Sequence, residues 1–207
     1  MTNRREFLQI GVSATAWPLV SRTIQVRLQA DPTYDATGLD PRPDLVSLSL
    51  VVYDTRFPQS VAFAERCAAS GLRTCAIDAD MTKLWYDEVY HRWKEGPQAI
   101  AGVTAHGPMF CFSELARDVR MRLVFRAAHR LAPDGIAAHD VNGPQTMVSE
   151  AIGACERRSG LGAAMAGVVT RCPVGRHEIT SARLGTELVQ TDESALYTWM
   201  IAPATHG

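Results

Sequence analysis

Residues 45–53 read Leu45-Val46-Ser47-Leu48-Ser49-Leu50-Val51-Val52-Tyr53, and this run, together with residues 54–80, decides the fold class. It is short, rich in Leu and Val and bounded by turn residues, as expected of a strand covered on both faces. Asp54-Thr55-Arg56-Phe57 breaks it, and Pro58 opens a helix in which Val61, Phe63, Ala64, Cys67 and Ala68 follow the helical period up to Gly71. Residues 73–77 read as the next strand, ending at Asp78-Ala79-Asp80. Strand, helix and strand within about 30 residues make one βαβ unit, in which the two strands run parallel.

Beyond this unit, residues 82–96 predict a helix with Thr82 as its cap and Gly96 as its stop. Leu84, Trp85, Val89 and Trp93 recur along one side of it with Tyr86 and Tyr90 beside them, so one face is heavily aromatic. Residues 99–104 read as a third strand, Ala105-His106-Gly107 as a tight loop, residues 108–119 as a helix opened by Pro108, and residues 121–127 as a fourth strand. Residues 130–145, with Pro133, Gly135, Gly143 and Pro144, fit either a long loop or a hairpin. Residues 146–158 fit a helix, 160–169 are small and apolar, and 197–202 read as a last strand. The alternation of strand and helix through the first two thirds predicts an α/β layered fold with a mainly parallel sheet built from βαβ units.

The 207 residues are 46% hydrophobic and 21% charged with a net charge of −1, which excludes disordered, collagen-like and coiled-coil chains. No sustained Lys/Arg run exists to neutralise phosphates, so nucleic acid is not an expected partner. No segment reaches the ~20 apolar residues of a spanning helix, so no transmembrane span is expected in the mature domain.

The N-terminus reads Asn3-Arg4-Arg5-Glu6-Phe7-Leu8-Gln9, and then comes a modestly apolar run to Val20 that contains Gly11, Ser13, Thr15 and Pro18. It resembles a bacterial twin-arginine export signal: Arg4 and Arg5 match the arginine pair, Glu6 the free position, and Phe7 and Leu8 the apolar pair. Asn3 stands where Ser or Thr is usual and Gln9 where Lys is usual. The resemblance covers the first 30 residues or so. It implies export of a folded chain by the twin-arginine translocase, to the periplasm or beyond, or membrane anchoring where the signal is retained. Residues 1–30 are then the signal, 31–44 a linker with three prolines and four aspartates, and 45–207 a single α/β domain. Chains carrying such signals often acquire a cofactor or a partner subunit before export.

Cys67, Cys75, Cys111, Cys155 and Cys172 contain no C-x-x-C pair, so iron–sulfur and structural zinc patterns are unsupported. Cys67 and Cys111 read as buried thiols in helices, and Cys155 with Cys172 as the best disulfide pair. No H-x-x-x-H, G-x-S-x-G, phosphate-loop or c-type haem motif occurs, so no motif indicates a metal or cofactor.

In open parallel sheets ligands bind beyond the carboxyl ends of the strands. That rule selects Asp54, Thr55 and Arg56, then Asp78 and Asp80, then Thr104 and His106, and His129 in an exposed stretch after the fourth strand. His106 is suited to acid–base work with Asp54 or Asp78 orienting it. Arg56, with Thr55 and Thr104, is placed to hold an anionic group near a helix start. Trp85, Tyr86, Tyr90 and Trp93 form the expected partner surface. These features are compatible with two functions. The first is an exported accessory or ligand-binding protein, such as a subunit or maturation factor of a periplasmic redox complex. The alternative is a small periplasmic enzyme acting on an anionic substrate with the His/Asp pair.

Overall fold

β1 (Leu48–Asp54) and β2 (Thr74–Ile77) pair in parallel, joined by α1 (Pro58–Ala69). α1 forms where it does because Pro58 lacks only an N–H that the first turn leaves unbonded. It buries Ser60, Phe63, Ala64 and Cys67, the i, i+3, i+4, i+7 stripe of an amphipathic helix. β3 (Ala99–Thr104) lies parallel to β1 on its other side and is buried at every position. In the computed structural model the described residues are 44–132, 135–156, 160–175, 177–185 and 195–203, all within one compact unit. The expected signal over 1–30 and the linker over 31–44 lie outside them except for Asp44.

The remaining elements are α2 (Thr82–Leu84), a π-helical turn (Trp85–Val89), α3 (Tyr90–Glu95), α4 (His106–Arg117), β4 (Met121–Ala132), β5 (Gly135–Pro144), α5 (Gln145–Glu156), α6 (Leu161–Val169), β6 (Ile179–Gly185) and β7 (Ala195–Pro203). The helix expected over 82–96 is therefore broken by one wider turn, and α4 begins at His106 rather than at Pro108. Residues 130–145 resolve as a hairpin, and β6 lies where the sequence marked no strand.

The protein is a mixed α/β fold, but its sheet is not mainly parallel. The order is β2-β1-β3-β7-β4-β5-β6, and only the β1 pairings with β2 and β3 are parallel. β7 enters between β3 and β4 and runs antiparallel to both. β4 consequently points the same way as β3, as a βαβ reading requires, without touching it. β5 pairs with β4 as a hairpin and β6 adds antiparallel to β5, connections that need no crossover helix.

Alternate strand residues supply two cores. One face, with Val51, Ala101, Phe125, Ala127, Val141 and Leu196, packs under α1, α5 and α6. The other, with Val52, Ile100, Tyr197 and Trp199, packs under α4 and the aromatic segment. β7 is buried at every residue but Pro203, as befits the central strand of a sheet covered on both sides. Two glycines permit close contacts. A Cβ on Gly102 would lie 2.5 Å from the Trp199 ring, and one on Gly162 would strike the Gln59 carbonyl where α6 crosses α1. No helix among the described residues is long and apolar enough to cross a membrane.

Candidate functional site

The residues selected at the carboxyl ends of the strands do lie along one edge of the sheet, but they form separate groups. Asp54, fully buried, receives Arg56 Nε on Oδ1 at 2.9 Å and Arg56 NH2 on Oδ2 at 2.7 Å, and the backbone N–H of Arg56 also donates to Oδ1. The Asp54 hydrogen bond raises the Arg56 guanidinium above its ordinary range. The Asp54 backbone N–H donates to Ser60 Oγ at 2.8 Å, and Ser60 Oγ donates in turn to the Val103 carbonyl. This knot fastens β1, the start of α1 and β3. Thr55 Oγ1 donates to the Ile77 carbonyl at 3.3 Å. Asp78 is exposed and bridges to Asp80, whose carboxylate accepts from the Thr82 N–H and is held below its usual range by Thr82.

Thr104 is buried, accepts from Trp199 Nε1 at 3.0 Å and donates to the Ala105 carbonyl. His106, in the first turn of α4, stacks on Phe110 at 5.8 Å and meets the Tyr197 ring edge-on at 5.4 Å. The Asp54 carboxylate is held by Arg56 on both oxygens, and among the described residues no hydrogen bond joins it to His106, the pairing expected for acid–base work. Tyr197, the neighbour of His106, faces the α4 side of the sheet, whereas Thr198, next in the strand, faces the other.

On that second face the edge holds a cluster that sequence reasoning did not assemble. His129 is not exposed but wholly buried, because β4 continues past residue 127 into the hairpin. His129 and His139 are register partners across β4 and β5, with rings 5.1 Å apart at 75° and a 2.8 Å hydrogen bond between their Nδ1 atoms. His129 Nε2 lies 3.0 Å from Thr198 Oγ1 on β7. Cys155 completes the group from the last turn of α5, and its sulfur and one ring nitrogen of each histidine lie within 4.8 Å of one another. α5 delivers Cys155 inward because Met147, Val148, Ala151, Ala154 and Cys155 form its apolar stripe.

Burial, with His139 close by, pushes the His129 imidazole down to about 3, and burial lowers His139 too, so both rings are neutral at ordinary pH. Burial pushes the Cys155 thiol up to about 12, with the Glu156 charge adding to the effect. The cluster therefore consists of neutral donor groups in an apolar wall, a set that could ligate a metal. The expected Cys155–Cys172 disulfide is absent and both thiols are free. Cys172 receives the Val46 N–H on its carbonyl and lines a cleft with Arg122 and Asn142, at the end of the β4–β5 hairpin away from His129. Cys111 is exposed, contrary to expectation, whereas Cys67 is buried.

The aromatic segment divides. Trp93 is 2% exposed, with its Nε1 donating to the Gln98 carbonyl at 3.0 Å, and belongs to the core. Trp85 and Tyr90 are half-buried and line a groove of about 510 Å³ with Lys94, Leu115 and Arg120. Tyr86 stands out at 60% exposure. A second cleft, of about 560 Å³, opens at the other edge of the sheet between Arg122, Asn142, Cys172, His177 and Ile179.

Set against known protein families, curated proteins and solved structures, the chain matches none. Fold and site together define a mixed α/β domain with a buried imidazole–imidazole–thiol cluster at one sheet edge.

Proposed function

We propose that the protein is an exported accessory protein, carried folded across the membrane by the twin-arginine translocase to bind a ligand or partner in the periplasm. The observation that carries this reading is the fate of the strand-end polar groups. Asp54 is bound to Arg56, Ser60 to Val103 and Thr104 to Trp199, so these residues hold the fold rather than stand ready for a substrate. The groove beside Trp85 and Tyr90, with exposed Tyr86 at its margin, supplies an amphipathic aromatic surface of the kind enriched at interfaces. Arg4, Arg5, Phe7 and Leu8 support the export step.

Native mass spectrometry of the protein released gently from its own periplasmic or membrane fraction tests the reading. A mature chain carrying an added subunit or ligand mass is expected, with the added subunit lost in a Trp85→Ala/Tyr86→Ala variant. A bare chain that turns over small anionic substrates, with turnover abolished by His106→Ala, would establish the enzymatic alternative instead.

A further inference from the structure

We propose that His129, His139 and Cys155 form a binding site for a single Cu(I) ion. The inference goes beyond the accessory reading and does not depend on it.

Geometry comes first. Bonds of ~2.0 Å to imidazole nitrogen and ~2.3 Å to thiolate sulfur, the lengths typical of zinc and a guide for copper, set trigonal donors roughly 3.5–3.7 Å apart. The Cys155 sulfur and one ring nitrogen of each histidine already lie within 4.8 Å of one another, and the two Nδ1 atoms, 2.8 Å apart, have to open by less than an ångström. The donors come from three elements, β4, β5 and α5, each fixed by the sheet or by its packing, so the arrangement is held by the fold rather than by a loop.

Tautomers fit as well. With His129 Nε2–H donating to Thr198 Oγ1, the His129 Nδ1 lone pair points at its partner, and the hydrogen between the two rings belongs to His139 Nδ1. Binding moves that hydrogen to His139 Nε2, leaving both rings neutral with Nδ1 free to coordinate. The Cys155 S–H bond breaks, its proton leaves to solvent, and the thiolate sulfur bonds to the ion, so one proton is released per ion bound. Thr198 acts as a positioning residue through His129.

Ion identity comes from charge and softness. Two neutral imidazoles and one thiolate carry a single negative charge, and among the described residues no carboxylate joins the cluster. Cu(I) brings the site to zero net charge, whereas Zn(II) leaves a positive charge in a core of Ala127, Val141, Ala151 and Leu196, where uncompensated charge is costly. A donor set with a thiolate and no hard oxygen also favours a soft ion.

The test is anaerobic Cu(I) titration of the full chain in competition with a chromogenic Cu(I) chelator. Expected are one tightly held ion per chain and one proton released per ion. Cys155→Ala should lower the affinity by more than ~100-fold, Thr198→Val by ~10–100-fold, and Cys75→Ser/Cys111→Ser not at all. Should Cys155→Ala fail to fold, X-ray absorption on the loaded wild-type chain decides, with two nitrogens and one sulfur around copper expected. Absence of stoichiometric binding, loss of binding in Cys75→Ser/Cys111→Ser, or a copper shell of two or more sulfurs would overturn the site. Preferential uptake of Zn(II) by the same three residues would overturn the ion.

Discussion

At the level of single residues, the electrostatics of His129 make stability depend on pH. His139 from β5, Thr198 from β7 and Cys155 from α5 face it, and none can neutralise an imidazolium, so the folded form stays neutral down to about 3. An unfolded chain offers ordinary imidazoles that take up protons below about 6.5. The unfolded state thus binds more protons between these values, and stability present above pH 6.5 is lost progressively as the pH falls toward 3. Urea midpoints of the metal-free protein are expected to drop between pH 7.5 and pH 5, before most carboxylates titrate. A midpoint that stays constant over that range would contradict the burial of the pair. Asp54 supplies a second case. Arg56→Ala leaves a wholly buried carboxylate with the residue-56 N–H as its remaining donor and is expected to cost about 1–3 kcal/mol by denaturant unfolding. Asp54 and His106 were legible in the sequence as strand-end residues. The clasp of Arg56 on the Asp54 carboxylate was not, because it depends on how the chain turns between β1 and α1.

Elements obey local rules where neighbours in sequence are neighbours in space. α1 and β1 are readable from a proline, a helical stripe and a Leu/Val run. The hairpin is different. β4 ends at Ala132 and β5 starts at Gly135, and an unbroken ladder from that turn would set His129 opposite Ala138, with His139 on the other face. Between Arg130 and Leu131 the register shifts, so that Leu131 pairs with Ile136 but Arg130 with Ala138, and His139 comes opposite His129. One extra residue in β5 therefore decides whether the two imidazoles meet, because a one-residue slip exchanges the faces of a strand. Pro133 and Gly135 marked a loop or hairpin in the sequence, but a bulge leaves no signal as plain. Gly102 carries the prediction at the level of elements. Gly102→Ala places a Cβ against both the Trp199 ring and the Val52 carbonyl at 2.7 Å, so β1, β3 and β7 must move apart. A loss of about 1–3 kcal/mol is expected from thermal or urea unfolding, and a neutral result would mean that the strands have more room than this packing allows.

For the molecule as a whole the decisive feature is β7, the last described strand in the chain and the fourth of seven across the sheet. It joins the parallel half, β2-β1-β3, to the antiparallel half, β4-β5-β6, and contributes Leu196 and Met200 to one core and Tyr197, Trp199 and Ile201 to the other. Truncation before residue 195 is expected to abolish cooperative unfolding and to raise protease sensitivity in both halves. Two independent transitions would instead mean that the halves fold separately. The proposed export is likewise tested on the complete chain. Replacing Arg4 and Arg5 together by Lys is expected to retain the precursor in the cytoplasm, read by fractionation, while leaving the unfolding curve of the domain unchanged; undiminished export would remove the twin-arginine reading.

The β1-α1-β2 unit and β3, the α/β class, the direction of β1 to β4 and the strand-end placement of Asp54 and Thr104 were legible in the sequence, since these depend on periodicity, caps and turn residues a few positions apart. Three outcomes emerged from folding in three dimensions: β7 separates β3 from β4, the sheet is mixed, and His129, His139 and Cys155 share one buried site. They rest on pairings between distant segments, on a single-residue register shift and on the burial of both sheet faces, and no local pattern encodes them.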